Sequence, residues 1–245
     1  FKGIDRVSMQ VAPLGREVMP FVCGAYQKQQ LKSQRGQADL VYRDGQFFLH
    51  VTIDFPDVEA KAVSDFIGLD LGIVNIVTDS NGGAHSGERD EQKRRRANRA
   101  RQTYQHRNTK NAKRRLKKLA GRQARFQRDV NHVIAKKVVS QAKALDVGIA
   151  MEDLSGIRDR LETTADKSLR KRLGNWGFFQ LRQFVTYKAQ LAGVATVFVD
   201  PRNTSRTCNQ CGYCDKKNRK SQSQFVCLRC SHACNADHNG ALHIR

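Results

Sequence analysis

Two cysteine pairs, Cys208-x-x-Cys211 and Cys227-x-x-Cys230, constrain this chain more tightly than any other feature of its sequence. Four thiolates in two such knuckles, with 15 residues between Cys211 and Cys227, suit tetrahedral Zn²⁺ in a closed structural site. Free thiols are the competing reading. Cys214 competes with Cys211 inside a C-x-x-C-x-x-C run, and Cys234 is surplus, but the outer pair Cys208/Cys211 keeps the usual knuckle. Six of the seven cysteines lie between Cys208 and Cys234, with Cys23 apart. They therefore cannot staple distant segments as a secreted disulfide framework does. The pattern implies a local metal site in a reducing compartment, hence a cytoplasmic protein. So short a segment cannot hold itself together by burial, so the metal is its core. Four thiolates leave no open position for a substrate, which makes the role structural.

Charge is the second constraint. Lys+Arg number 44 against 23 Asp+Glu, a formal net charge of +21 in 245 residues. Such a surplus repels itself unless an anionic partner offsets it, and nucleic acid is the leading candidate. No run of about eighteen apolar residues is present, so no membrane span is expected. The 45 residues from Lys93 to Lys137 hold 18 Lys+Arg and one acid, Asp129, which is +17 of the total. This block has no proline and one glycine, Gly121, which favours helix. Leu116, Leu119, Phe126, Val130, Val133, Ile134, Val138, Ala142 and Leu145 recur at helical spacing and mark a long amphipathic helix over about 111–145. A shorter helix is expected over 90–105, turning back near 106–110. A solvated helical face is the bland alternative, but +17 in one block is poor for stability without a polyanion. Arg94, Arg95, Arg114, Arg115, Lys117 and Lys118 represent the nucleic-acid-binding surface.

The remainder reads as alternating strands and helices. Residues 37–43 and 46–54 alternate around Asp44-Gly45, a strong hairpin signal. A hairpin with so little around it needs neighbours, and the chain opens at Phe1 without an initiator Met; both point to a longer polypeptide. Phe66 to Gly72 and Ile73 to Asp79 read as strands, with a turn at Asn81-Gly82-Gly83. Val147 to Met151 is a buried-strand run ending in Glu152-Asp153, Val194 to Val199 is another, and Asp237 to Arg245 closes the chain as a helix. A helix carrying Leu173, Trp176, Phe179, Phe184, Tyr187 and Leu191 precedes the strand at 194. Trp176, Phe179 and Phe184 are read as core rather than as base-stacking groups, and His132 and His238 as surface or structural residues. The whole is mixed α/β, a central sheet with helices against it.

Three acids, Asp70, Glu152 and Asp237, lie at the end of an apolar run or the start of an amphipathic one. Acids at the ends of adjacent strands would repel unless cations bridged them; two Mg²⁺ about 3.5–4 Å apart would do so, the arrangement that cleaves phosphodiesters. Any one of the three alone is better read as a strand-terminating surface acid, of which Asp79, Asp153 and Asp200 are further examples.

Phe66 to Gly72, Ala150-Met-Glu-Asp-Leu154 and Asn235-Ala-Asp-His-Asn-Gly-Ala-Leu242 resemble the three motifs of a RuvC-like nuclease. With Asn175-Trp-Gly-Phe-Phe-Gln-Leu-Arg-Gln-Phe184, Asp200-Pro-Arg-Asn-Thr-Ser-Arg-Thr-Cys208 and a zinc ribbon just before the third acid, the chain from about residue 37 onward resembles the TnpB family of transposon-encoded RNA-guided nucleases, related to type V CRISPR effectors. The resemblance implies an α/β, RNase H-like (RuvC) nuclease core with long inserted basic helices and a zinc ribbon, preceded by a β-hairpin from an incomplete β-barrel domain. On that reading residues 1–60 end the barrel, 61–204 and 236–245 form the nuclease domain, and 205–235 the ribbon. Asp70, Glu152 and Asp237 become the catalytic, magnesium-binding acids, with guide RNA and target DNA as partners. The chain departs from the family in lacking the helical recognition lobe, in having Asn235 where an acid is usual, and in adding Cys214 and Cys234. A non-cleaving RNA-guided regulator and a plain zinc-ribbon binding module are the alternatives; the first expects a lost acid, and the second leaves the motif-embedded acids unexplained.

Overall fold

A computed structural model describes residues 1–3, 5–56, 58–72, 74–154 and 177–245. The chain divides into two units, Phe1–Asp57 and Val58–Arg245.

The first unit is two hairpins and a short helix. β1 (Arg6–Val11) pairs antiparallel with β2 (Gly15–Pro20), and β3 (Gln34–Arg43) with β4 (Gln46–Ile53). α1 (Ala25–Gln30) lies between them in sequence. Asp44 and Gly45 both adopt positive φ, 52° and 82°, the backbone that a two-residue hairpin turn demands. No described residue of this unit is buried. A groove of about 1530 Å³ is lined by Met9, Met19, Phe21, Leu40, Phe48 and other apolar side chains.

The second unit is built on a five-stranded sheet. Its strands are β5 (Phe66–Asp70), β6 (Asn75–Asp79), β7 (Ala84–Ser86), β8 (Gly148–Glu152) and β9 (Thr196–Val199), in the spatial order β7-β6-β5-β8-β9. β6 runs antiparallel to both neighbours, whereas β5, β8 and β9 are parallel. Between β7 and β8 the chain makes a helical hairpin of α2 (Glu88–Arg107) and α3 (Lys110–Leu145). α4 (Phe178–Ala192) leads into β9, and α5 (Ala236–Ile244) ends the chain.

Capping explains where the helices stop. Asn108 takes the left-handed conformation (φ 45°) that ends α2, and the Thr109 hydroxyl accepts from the Ala112 N–H at 3.1 Å to start α3. Those two residues make the reversal that the basic block requires. Asp146 (φ 56°) and Gly193 (φ 71°) end α3 and α4 in the same way.

Alternation along the strands decides what covers each face. Ile67, Leu69, Ile149 and Met151 point to one side and pack with Ile134, Val138 and Ala142 of α3 and Leu181, Val185 and Ala189 of α4. The same buried stripe leaves Val133 61% exposed and Leu145 54% exposed. Both belong to the apolar periodicity that marks the helix, but the covered stripe spans only part of its circumference. Phe179, expected in the core, is 66% exposed for the same reason, one residue past the partly buried Phe178 and the buried Leu181 and Val185. Phe184 does pack against the core, stacked on His132 with ring centroids 3.9 Å apart. Leu173 and Trp176 lie outside the described residues.

The opposite face carries small residues, Gly68, Gly148 and Ala150, followed by Asp70 and Glu152. α5 docks there at very short range: a Cβ on Gly68 would stand 2.0 Å from the Ala241 carbonyl oxygen and 2.6 Å from the Arg245 nitrogen. Gly240 completes the fit, its missing Cβ 3.2 Å from Asp70 Oδ2. No helix among the described residues is long and apolar enough to cross a membrane.

Candidate active site and metal centre

The parallel register of β5 and β8 pairs Leu69 with Met151. One residue further on, Asp70 and Glu152 therefore stand side by side at the C-terminal ends of two central strands. Asp237 reaches the same face from the first turn of α5. Asn235 is the N-cap of that helix: its side-chain oxygen accepts from the N–H groups of Asp237 and His238 at 3.0 and 3.2 Å. Asn caps as well as Asp does, so the position where the resemblance expects an acid here sets the pose of the third carboxylate.

The charge environment of Asp70 reports the proximity of the other two acids. Burial pushes the Asp70 carboxyl up, and the charges of Glu152 and then Asp237 push it further; Arg219 offsets part, for a net rise from 3.8 to about 7. Burial also raises Glu152, against a hydrogen bond from the Thr204 hydroxyl. Asp237 is buried, its Oδ1 3.0 Å from Arg219 Nη2 and its Oδ2 accepting from Asn75 Nδ2 at 3.2 Å. Asp70 thus feels the charge of both other acids, and the Arg219 guanidinium is drawn in against Asp237.

Sequence reasoning missed Arg219, Asn75 and Thr204. Nothing at the sequence level marks an arginine inside a cysteine module as the partner of an acid 18 residues on. Of the acids read as surface residues, Asp79 is not one. It is 5% exposed, and its Oδ1 accepts from the Asn81 and Gly83 N–H groups at 2.9 Å each, because the turn between β6 and β7 needs an acceptor there. Asp153 pairs with Arg182 at 2.7 Å, and Asp200 caps its own turn through the Arg202 N–H.

The cysteine module contains two knuckles of the same build. In the first, the Cys208 carbonyl accepts from Gly212 N–H and the Cys208 N–H donates to Tyr213, both at 3.0 Å. In the second, the Cys227 carbonyl accepts from Ser231 and its N–H donates to His232, at 3.0 and 2.9 Å. Gly212 and Ser231 share the left-handed φ, 69° and 59°. The second knuckle turns β10 (Gln224–Val226) into β11 (Ala233–Asn235). Asn218, fully buried, ties the knuckles together: its amide donates to the Arg206 and Tyr213 carbonyls, and its Oδ1 accepts from Leu228.

The sulfurs of Cys208, Cys211, Cys227 and Cys230 all lie within 4.8 Å of one another, with pairs at 3.5 and 3.7 Å. Zinc bonded to sulfur at ~2.3 Å puts tetrahedral sulfurs ~3.8 Å apart, so this cluster fits the ion. Burial favours the neutral Cys227 thiol, but N–H groups of Cys230 and Arg229 and the neighbouring thiols outweigh it and bring Cys227 down to about 6. Cys214 is exposed and Cys234 sits in β11; neither belongs to the cluster.

The basic block forms the α2–α3 hairpin. Arg95, Arg114, Arg115, Lys117 and Lys118 are exposed. Arg94 is drawn inward, and both it and Arg95 pair with Glu91, at 2.9 and 3.1 Å. Lys93 Nζ sits 3.6 Å from the centre of the Phe126 ring, and Arg101 donates to Gln123 at 2.9 Å, holding the helices together.

Comparison with known proteins follows these features. Residues 50–157 match the family model described as a probable transposase, OrfB_IS605, and residues 178–244 match the Cas12f1-like TNB domain. The CRISPR-associated endodeoxyribonuclease Cas12f1 of Sulfoacidibacillus thermotolerans is 35% identical over 130 residues, 53% of this chain and 29% of that protein. A TnpB-like protein of Methanocaldococcus jannaschii is 35% identical over 116 residues, 47% of this chain and 41% of that one. InsQ of Escherichia coli is 30% identical over 198 residues, 74% of this chain and 48% of that protein. The chain thus spans less than half the length of these curated relatives. In structure it resembles Cas12f1 in an sgRNA–target DNA complex (TM-score 0.59, 21% identity, 84% of this chain and 55% of that one) and Cas12f in a ternary complex (0.61, 22%, 84% and 44%). These likenesses establish the mixed α/β fold. By sequence the chain is a homologue of the TnpB-like and Cas12f proteins, and its fold resembles that of Cas12f.

Proposed function

We propose that this chain carries the catalytic centre of an RNA-guided, Mg²⁺-dependent DNA endonuclease of a transposon, in which Asp70, Glu152 and Asp237 hold the catalytic ions. The observation that carries the reading is the convergence of three carboxylates from distant segments on one sheet face, with Asp70 pushed up to about 7 by the other two and by burial. The strand order β7-β6-β5-β8-β9, with β6 alone reversed, supports an RNase H-like, RuvC-type core. Residues 61–204 and 236–245 would form that domain, 205–235 a zinc ribbon, and 1–60 the end of a β-barrel domain. Two Mg²⁺ ions, when bound, supply an activated water and charge stabilisation at the leaving 3′ oxygen.

The chain's own groups have separable tasks. Asp70, flanked by Glu152 and Asp237, is the residue placed to share ions. Arg219 and Asn75 fix the two oxygens of Asp237, and the guanidinium also offers a donor toward a phosphate. The α2–α3 hairpin neutralises backbone phosphates of guide RNA and target DNA without reading sequence. Cys208, Cys211, Cys227 and Cys230 hold one structural Zn²⁺. The relatives compared above include a named endodeoxyribonuclease and a complex with sgRNA and target DNA. A non-cleaving regulator fits less well, because all three acids are in place.

The test is cleavage of single-stranded DNA with Mg²⁺ by the chain carrying its co-purified RNA, whose sequencing identifies the guide. Asp70→Ala is expected to abolish cutting while nucleic-acid binding survives; cutting by Asp70→Ala at the wild-type rate refutes the assignment.

A further inference from the structure

We infer that Thr204 is a positioning residue for Glu152, a role that rests on the acid cluster being a cation site. Thr204 is 6% exposed, and its hydroxyl contacts Glu152 Oε1 and the Pro201 carbonyl, the latter at 3.2 Å. A hydroxyl has one proton to give, and a carboxylate is the stronger acceptor. The bond therefore goes to Glu152, fixing one carboxylate oxygen and leaving the other for the cluster.

The loop is constructed to deliver that hydroxyl. β9 runs parallel to β8 with Val199 level with Glu152, so the chain must reverse within five residues to bring Thr204 back. Asp200 Oδ1 accepts from Arg202 N–H at 3.0 Å, and Asn203 takes φ 62°. The Asn203 carbonyl then accepts from the Arg206 and Thr207 N–H groups and the Thr207 hydroxyl, all at 2.9 Å. At its far end the loop is fastened to α5, where Asn239 donates to the Thr207 carbonyl at 2.8 Å and accepts from Asn209 N–H at 3.2 Å. Asn239 lies two residues beyond Asp237. One segment thus braces the second acid directly and the helix bearing the third.

The experiment titrates Mn²⁺ into the zinc-loaded chain and follows the free ion by EPR, alongside cleavage. Thr204→Val keeps the shape and removes the donor; it is expected to weaken Mn²⁺ binding roughly 10–100-fold, the usual effect of losing a ligand's hydrogen-bond partner. Thr204→Ser should restore most of the affinity. Thr204→Ala, which seats no methyl against the carboxylate, is the second variant and should lose the ion to the same extent. In a Glu152→Ala background, which leaves no acceptor for the hydroxyl, Thr204→Val should cost nothing further. Wild-type Mn²⁺ affinity in Thr204→Val or Thr204→Ala, no rescue by serine, or an additive loss in the double variant overturns the inference. Asp70→Asn separates the levels. If it too binds Mn²⁺ like wild type, the cluster is not the cation site; if it loses the ion while the Thr204 variants keep it, Thr204 alone is misassigned.

Discussion

Asp70→Asn should stabilise this protein at alkaline pH when no divalent cation is present. A carboxyl whose pKa rises from 3.8 to about 7 on folding keeps its proton in the folded chain after the unfolded chain has lost it. Its contribution is fully present below the unfolded value. It falls away at ~1.4 kcal/mol per pH unit as pH rises toward the folded value, and is gone above it. Asparagine stands in for the protonated acid and removes that slope. Between pH 5 and pH 8.5 the stability difference between variant and wild type should widen by roughly 3 kcal/mol, most of it below about pH 7. For a chain of this size that is a gain in relative Tm of roughly 5–12 °C. Thermal unfolding across that range, in Mg²⁺-free buffer without chelator so that the cysteine site keeps its metal, measures it directly. Added Mg²⁺ should then raise the wild-type Tm at pH 8.5 and leave Asp70→Asn where it was. A Tm difference that stays constant from pH 5 to pH 8.5 would show that Asp70 feels neither its neighbours nor its burial, and the cluster argument would fail.

Other outcomes follow from packing and charge. Gly68→Ala places a Cβ 2.0 Å from the Ala241 carbonyl oxygen and should destabilise by about 3 kcal/mol or more; urea unfolding with no shift in midpoint contradicts the docking of α5. Cys211→Ser should lower bound zinc per chain and loosen the module, whereas Cys214→Ser should leave zinc content unchanged, both read by elemental analysis. Reversing Arg114, Arg115, Lys117 and Lys118 to Glu should weaken nucleic-acid binding and flatten its dependence on salt; an unaltered salt slope would make these residues a solvated face.

Much of this architecture is legible in the sequence where the signal is local. Asp44-Gly45 announces a hairpin because only certain residues tolerate its backbone, and the composition of residues 93–137 leaves little besides helix. The cysteine spacing names its four members because the knuckle itself imposes the interval. What the sequence conceals is tertiary. The buried turn acid Asp79 and the exposed Asp200 look alike until the sheet is built. Arg219, Asn75 and Thr204 gain their meaning only from side chains 18, 162 and 52 residues away. Val133 and Phe179 show the converse error, since a periodic pattern counts every apolar residue near the stripe and the neighbouring helix covers only part of them.

The seat of α5 on Gly68 and Gly240 has a consequence for the order of events during synthesis. Asp70 and Glu152 belong to strands that pair early in the chain, but the third acid arrives with a helix made after the cysteine module. At about 5–20 residues per second, the stretch from Glu152 to Asp237 occupies the ribosome for ~4–17 s. The α2–α3 hairpin is synthesised before that interval begins. On the function proposed above, a chain truncated at residue 225 should bind DNA yet show no Mg²⁺-dependent cleavage. The close helix seat thus sets an order: the third acid joins the other two only after the cysteine module has been made.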